Sequence, residues 1–257
     1  MMSADERNRR VYSTTGTVRH YARAVGLQPA EQTILQAIET CLPSAKMLDL
    51  GVGGGRTTES FAGRVARYVA LDYSTPMIHA ARKRFHGQPY EFVVGDARSI
   101  PFPDDAFDFV LFSHNGIDYV DPDDRLRVLA EVIRVVSPGG LFAFSTHNLG
   151  RHDLDFEARS GEGAWCRVRN ALRRARLRHE NPSYRTLPEL PLAMVNDGAF
   201  AFRGCTYHIR ADAQLDQLHT AGFEDITVYS SDQGLAIPAA RIHEARDPWL
   251  YFLCRVA

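Results

Sequence analysis

The sequence predicts a doubly wound α/β fold built on a mostly parallel sheet. Three observations carry that expectation. Apolar runs of strand length alternate with stretches of helical periodicity between residues 31 and 148. The first run, KMLDL (46–50), feeds straight into the glycine cluster GVGGG (51–55). Each later run ends at a polar residue: Asp72, Asp96, Ser113 and Asn148. Open parallel sheets hold their ligands at those carboxyl ends.

Residues 31–42 (EQTILQAIETCL) place apolar side chains at helical spacing and stop before Pro43, which cannot continue a helix. After the first strand and the glycines, RTTESFAGRVA reads as a helix opening at the cluster. RYVALD (67–72) is the second strand. The helix TPMIHAARKRF follows it, with Pro76 tolerated in the first turn. YEFVVGD, FDFVLFS and LFAFSTHN supply strands three to five. Between the last two, DDRLRVLAEVIRVVSPGG is an amphipathic helix expected to stop at Pro138 and two glycines. Right-handed crossovers then place the helices on both faces.

The rhythm breaks after Asn148. Residues 149–205 hold one basic helical segment, AWCRVRNALRRARLRHE, and the proline-rich NPSYRTLPELP. A structureless loop of that length is unfavourable inside a compact domain, so a cap or lid on the sheet is expected. Regular patterns return in ADAQLDQLHTAGF, EDITVYS and WLYFLCRVA. The last of these carries Trp249, Tyr251 and Phe252, which suit either an interface edge or the core. The expected organisation is a core of residues 1–148 with an N-terminal cap segment, an insertion at 149–205, and completion of the sheet by 206–257.

Composition narrows the function. Of 257 residues, 45% are hydrophobic, and thirty Lys and Arg stand against 31 Asp and Glu for a net charge of −1. That balance argues against a wholesale nucleic-acid or membrane-surface binder. Cys41, Cys166, Cys205 and Cys254 are far apart without a CxxC pair, and read as reduced cysteines, not a metal or disulfide framework. No stretch reaches the roughly 18 apolar residues of a membrane span. The polar N-terminus lacks a signal-peptide core. A cytoplasmic, metal-free protein is expected.

The glycine turn lets backbone approach a ligand closely, because glycine has no Cβ. Alone, a GxGxG after a strand also suits dinucleotide enzymes, or a tight turn without a ligand. Asp72 closes the next strand and can accept hydrogen bonds from both hydroxyls of a ribose; capping the following helix is the other reading. Asp96 can accept from an adenine amino group while the Ala97 amide donates to a ring nitrogen, or it can cap a loop. Several carboxylates around one crevice suit a pyrophosphate poorly and a cationic sulfonium well.

LDLGVGGGRTT, ALDYS followed by PMI, GDARSIPFPDDAFDFVLFS, RVVSPGGLFAFS and the closing AGFEDITVY resemble the successive motifs of class I S-adenosylmethionine-dependent methyltransferases. The resemblance covers roughly residues 12–148 and 206–257. It implies a Rossmann-like, seven-stranded sheet whose last strand is antiparallel and lies between strands five and six. It also implies S-adenosylmethionine (S-adenosyl-L-methionine) as methyl donor and S-adenosyl-L-homocysteine as product. By position, Gly51 and Gly53 would meet the methionine part, Asp72 the ribose, and Asp96 and Ala97 the adenine. Tyr73 and Met77 would pack on the adenosine, with Ser113 beside the methionine. In related enzymes an N-terminal segment folds over the cofactor. That singles out Tyr12 and Tyr21 near the sulfonium and Arg19 for the carboxylate. A surface helix with an aromatic packed on the core is the alternative.

Displacement at a sulfonium carbon proceeds largely by alignment and desolvation. A base matters only for a protonated acceptor, and His114 in SHNGIDY and His147 in STHNL are the candidates. Asn115, Asp118, Tyr119 and Asn148 are expected to orient the acceptor, although Asp118 also suits a structural hydrogen bond. The expected acceptor is a small molecule methylated on oxygen or nitrogen, with no nucleic-acid or membrane partner. HNGI after strand four is not the Asn-Pro-Pro-aromatic motif of nucleic-acid amine methylation. The arginines at 167, 169, 173, 174, 176 and 178 share no single helix face. RNA- or protein-directed methylation, an NAD-dependent oxidoreductase and a non-catalytic relative are the alternatives.

Overall fold

The computed structural model describes residues 4–151, 164–181 and 186–257. Two short helices, α1 (Ala4–Tyr12) and α2 (Thr15–Tyr21), precede α3 (Pro29–Ala37). Thr14 caps α2 by accepting from Thr17 N, and a Gln28/Glu31 capping box starts α3. Strands β1 (Lys46–Leu50), β2 (Arg67–Asp72), β3 (Glu91–Val94), β4 (Phe107–Phe112) and β5 (Val136–Asn148) are parallel, in the spatial order β3-β2-β1-β4-β5. The helices connecting them are α4 (Thr58–Phe61), α5 (Thr75–Arg84) and α6 (Pro122–Val135).

Two expected boundaries move. The helix after the glycines shrinks to one turn plus a 3₁₀ turn at Ala62–Arg64, because Val65 must already be extended to enter β2. Helix α6 ends at Val135, not at the glycines. Pro138 disfavours helical geometry at Ser137, and Val136 pairs with Phe107 instead.

After the insertion, α8 (Ala211–Ala221) leads into β8 (Phe223–Ser230), and β9 (Trp249–Val256) runs antiparallel between β5 and β8. Those seven strands keep the expected arrangement within a sheet of nine described strands. Tyr251 and Phe252 are fully buried in it, so they belong to the core. Strand alternation splits the apolar side chains between two faces. Leu48, Leu71, Val110 and Phe142 pack with α6 and α8, whereas Met47, Ala70, Leu111 and Ala143 pack with α3 and α5.

The insertion contributes α7 (Ala164–Glu180) and β6 (Leu192–Val195), which pairs antiparallel with β7 (Thr206–Ile209). This hairpin straddles the boundary expected at residue 205. His147 pairs with Trp249 on one edge of β5 and with His208 on the other. Since β4 leaves that second edge at Phe112, β7 continues the sheet past its tip, at the ligand-bearing end. Residues 152–163 of the insertion, and 182–185 of the proline-rich stretch, lie outside the described residues. Among the described residues, no helix is long and apolar enough to cross a membrane.

Candidate active site

The carboxyl ends of β1, β2, β3 and β4 open onto a cleft, where an open parallel sheet holds its ligands. The glycine turn lies at its base. Gly51 and Gly53 have φ of +62° and +56°, a region where side chains are strained. A Cβ on Gly54 would stand 2.4 Å from Ala22 Cα. The cluster therefore serves two approaches at once: bare backbone faces the cleft, and the chain leaving α2 rests on the turn.

Asp72 ties this turn to the tip of β2. Its Oδ2 accepts from Gly53 N at 2.9 Å and its Oδ1 from Ser74 N at 2.8 Å. Burial outweighs those two bonds and pushes the carboxyl up to about 6. Asp96 is in the opposite state. Burial would raise it, but bonds from Arg98 and Arg9 prevail and hold it at about 2. Arg9 also lies 4.8 Å over the Tyr73 ring. Tyr73, Met77, Ala97 and Ser113 line the same cleft.

The N-terminal helices close one end of it. Tyr12 and Tyr21 both line the cleft, 5.6 Å apart between ring centroids. Tyr12 meets the Tyr119 ring edge-on at 4.9 Å, and Tyr21 meets His114 at 6.0 Å. Burial raises the phenols of Tyr12, Tyr21 and Tyr119, so these rings are neutral walls. Asn8 pins α1 in place: its Nδ2 donates to Tyr119 O and Cys205 O, and its Oδ1 accepts from Cys205 N. Arg19 does not reach the cleft. It is exposed, because residues two apart on a helix, such as Arg19 and Tyr21, face different ways.

Two cations do line the cleft, Arg9 and, directly after the glycines, Arg56. Sequence reasoning missed both. Arg56 makes two 2.6 Å bonds to Glu31, which is buried on α3 and also accepts from Ser113 Oγ. Burial alone would raise Glu31; the Arg56 bonds hold it below its ordinary value. Position after the glycine turn was a signal for Arg56, but nothing local marks Glu31 as its partner. Asp49 was missed too. Thr57 and Tyr68 hydroxyls donate to it, and burial lifts it to about 6.

His114 sits at the tip of β4, where it and Asn115 are both left-handed, with φ of +54° and +57°. Two consecutive non-glycine residues in this region store strain, a feature of functional sites. His114 lines the cleft between the Tyr21 and Trp249 rings. Burial, then the Arg56 charge, lowers its imidazole below the ordinary value, so it is a neutral proton acceptor near pH 7.

The other expected residues sit away from this cleft, with Asn148 bordering a separate hollow beside Arg210 and Arg246. Asp118 is fully buried and accepts from Arg125, Thr146 Oγ1 and His147 N. His147 sets Nδ1 2.7 Å from Asp118 and Nε2 3.4 Å from Asn115 Nδ2, with the His208 ring stacked at 4.5 Å. Asn115 N donates to Ser145 Oγ. Asn148 donates to Ala245 O and Asp247 O and accepts from Gly150 N. None of these four lines the cleft; of the expected acceptor-orienting residues, Tyr119 alone does. Their hydrogen bonds brace the ends of β4 and β5, while Asn115 Oδ1 is buried without a hydrogen-bond partner.

Residues 48–144 match the protein family described as Methyltransferase domain. Demethylmenaquinone methyltransferase of Clavibacter sepedonicus is 38% identical over 96 residues, 37% of this chain and 38% of that protein. The chain thus spans less than half the length of that relative. Malonyl-[acyl-carrier protein] O-methyltransferase of Serratia marcescens is 27% identical over 238 residues, 92% of this chain and 80% of the relative. The solved Burkholderia thailandensis 1,6-didemethyltoxoflavin-N1-methyltransferase, with 1,6-didemethyltoxoflavin and S-adenosylhomocysteine bound, gives a TM-score of 0.55 at 17% identity, over 89% of this chain and 78% of that one. That likeness is one of fold.

Proposed function

We propose that the chain is a class I S-adenosylmethionine-dependent methyltransferase that methylates an oxygen or nitrogen of a small-molecule acceptor, a reading supported by the methyltransferase-domain match and by the methyltransferase relatives. The observation that carries the reading is the Asp72 carboxylate, set at the tip of β2 beside an open glycine turn. The residues present fit an adenosine-bearing sulfonium. Asp72 would accept from the ribose hydroxyls; Tyr73, Met77 and Ala97 would flank the adenine, with Asp96 at its amino edge; Gly51, Gly53 and Ser113 would border the methionine end. When bound, S-adenosylmethionine supplies an electrophilic methyl group.

The chain's own part is alignment and exclusion of water. Helices α1 and α2 cover the cleft, and Tyr12, Tyr21 and Tyr119 wall the end where the acceptor enters. His114 Nε2 or Nδ1 takes the proton that a hydroxyl or ammonium acceptor must lose. The insertion, residues 149–205, supplies acceptor selectivity through the hairpin at the tip of β5.

Thermal denaturation tests the donor. S-adenosylhomocysteine should raise Tm and NAD should not. Protection by NAD alone would make the chain an oxidoreductase; protection by neither would make it a non-catalytic relative. The base is tested separately, with an acceptor found by screening alcohols and amines. His114→Ala should lower kcat by about 10²–10⁴ while leaving S-adenosylhomocysteine affinity unchanged. A fully active variant removes His114 from this role.

A further inference from the structure

Helix α7 touches the protein along one narrow line. Among its described side chains, only Cys166, Asn170, Arg173 and Leu177 are drawn against the body, at a spacing that keeps them on one side. Arg173 donates to Asp197 O, and Arg176 lies 4.2 Å over the Phe202 ring. On the opposite side Trp165, Val168 and Leu172 are 88%, 51% and 67% exposed. Ala175 and His179 continue the same line by helical spacing. Arg167, Arg174 and Arg178 fall along one flank of this apolar stripe, and Arg169 and Arg176 along the other. Glu180 is the only acidic residue of the helix.

We propose that α7 docks the protein on an anionic lipid surface. Trp165, Val168 and Leu172 enter the boundary between headgroups and acyl chains, while the two arginine rows meet lipid phosphates. An outward apolar stripe with cations on both flanks is the pattern of a helix lying in a membrane interface. The arithmetic of area favours lipid over an acidic protein. A 17-residue helix is about 25 Å long and exposes a face of roughly 250 Å². A stable protein interface needs about 800 Å² from each partner. A bilayer needs no matching relief, and each arginine near its surface adds attraction that salt screens. The chain's net charge of −1 conceals this local patch.

Vesicle sedimentation of the full chain, with phosphatidylglycerol mixed into phosphatidylcholine, tests the proposal. Binding is expected at low salt, with loss on raising salt and little association with phosphatidylcholine alone. The emission of Trp165, one of two tryptophans, should shift to the blue on binding. Trp165→Ser/Leu172→Ser should weaken partitioning by about tenfold or more, and Arg167→Gln/Arg174→Gln should reduce its salt dependence. All four side chains are exposed, so Tm should hold. No sedimentation with anionic vesicles overturns the proposal, as does equal sedimentation of the Ser variant. Concentration-dependent dimerisation abolished by the same variant would assign the stripe to a second copy. A Trp165 already shielded from quencher without lipid would assign it to another part of this chain.

Discussion

Asp72→Ala is expected to weaken S-adenosylhomocysteine binding by about 100-fold or more. Two hydroxyl-to-carboxylate hydrogen bonds are worth about 1.5–3 kcal/mol each, and a combined loss of about 3 kcal/mol corresponds to two decades of affinity. Alanine also removes the acceptor for Gly53 N and Ser74 N, so the glycine turn loses its tie to β2. Asp72→Asn separates the two effects, because it preserves shape and part of the bonding without the charge. Titration calorimetry provides the readout. Native affinity in Asp72→Ala would move the ribose contact elsewhere.

The same carboxyl sets a pH dependence. Burial pushes Asp72 up to about 6, so below that pH it carries a proton that competes with ligand hydroxyls. Affinity should therefore rise from pH 5 to 7, with proton release on binding seen in buffers of differing ionisation enthalpy. Asp72→Asn should abolish that slope. A slope retained in Asp72→Asn would belong to another group, of which Asp49, also near 6, is the first candidate.

The largest stability effect is expected at Arg125. This guanidinium is fully buried, bonded to Asp118, Ile117 O, Gln214 Oε1 and Thr146 Oγ1, with the Tyr207 ring 4.5 Å away. Arg125→Met fills much of the volume but leaves the Asp118 carboxylate buried without its cation. Breaking a buried pair on one side costs about 3–5 kcal/mol. The exposed pair Arg67–Glu91 provides the contrast, since an exposed pair contributes about 0–1 kcal/mol. Urea denaturation with an unchanged slope should show Arg125→Met far less stable than Arg67→Ala. Equal midpoints for the two would refute the buried network. Because Asp118 also holds His147 N and Nδ1, the variant should disturb the strand ends behind the cleft.

Much of the fold was legible because its signals are local. β1 and β2 were bounded to the residue, since an apolar run flanked by turn chemistry specifies a buried parallel strand with little help from afar. The tips of those strands followed, and with them Gly51, Gly53, Asp72, Asp96 and Ser113 along one cleft. Tyr12 and Tyr21 also proved to line it. Helices α1 and α2 were harder to read. They are short, weakly apolar and held by distant partners such as Cys205, to which Asn8 bonds. Strands β6 and β7 run for four residues each and acquire their identity from pairing with each other and with β5.

Polar side chains mark the division most clearly. Asn115, Asp118, His147 and Asn148 sit beside or just beyond strand ends, where chain position alone makes a functional group and a brace look alike. Which they are depends on partners such as Arg125, Ser145 and Ala245, and those are chosen by packing. Arg56 was visible next to its glycines, but its carboxylate comes from α3 and its hydroxyl neighbour from Ser113, just past β4. Sequence by itself determined the strand order's raw material and the cleft-lining tips, because hydrophobic period and glycine conformation act over a few residues. Only the tertiary structure decided which charges face the cleft and which are neutralised behind it. A buried charge is settled by the group that folding brings within about 3 Å of it, however far apart the two lie in the chain.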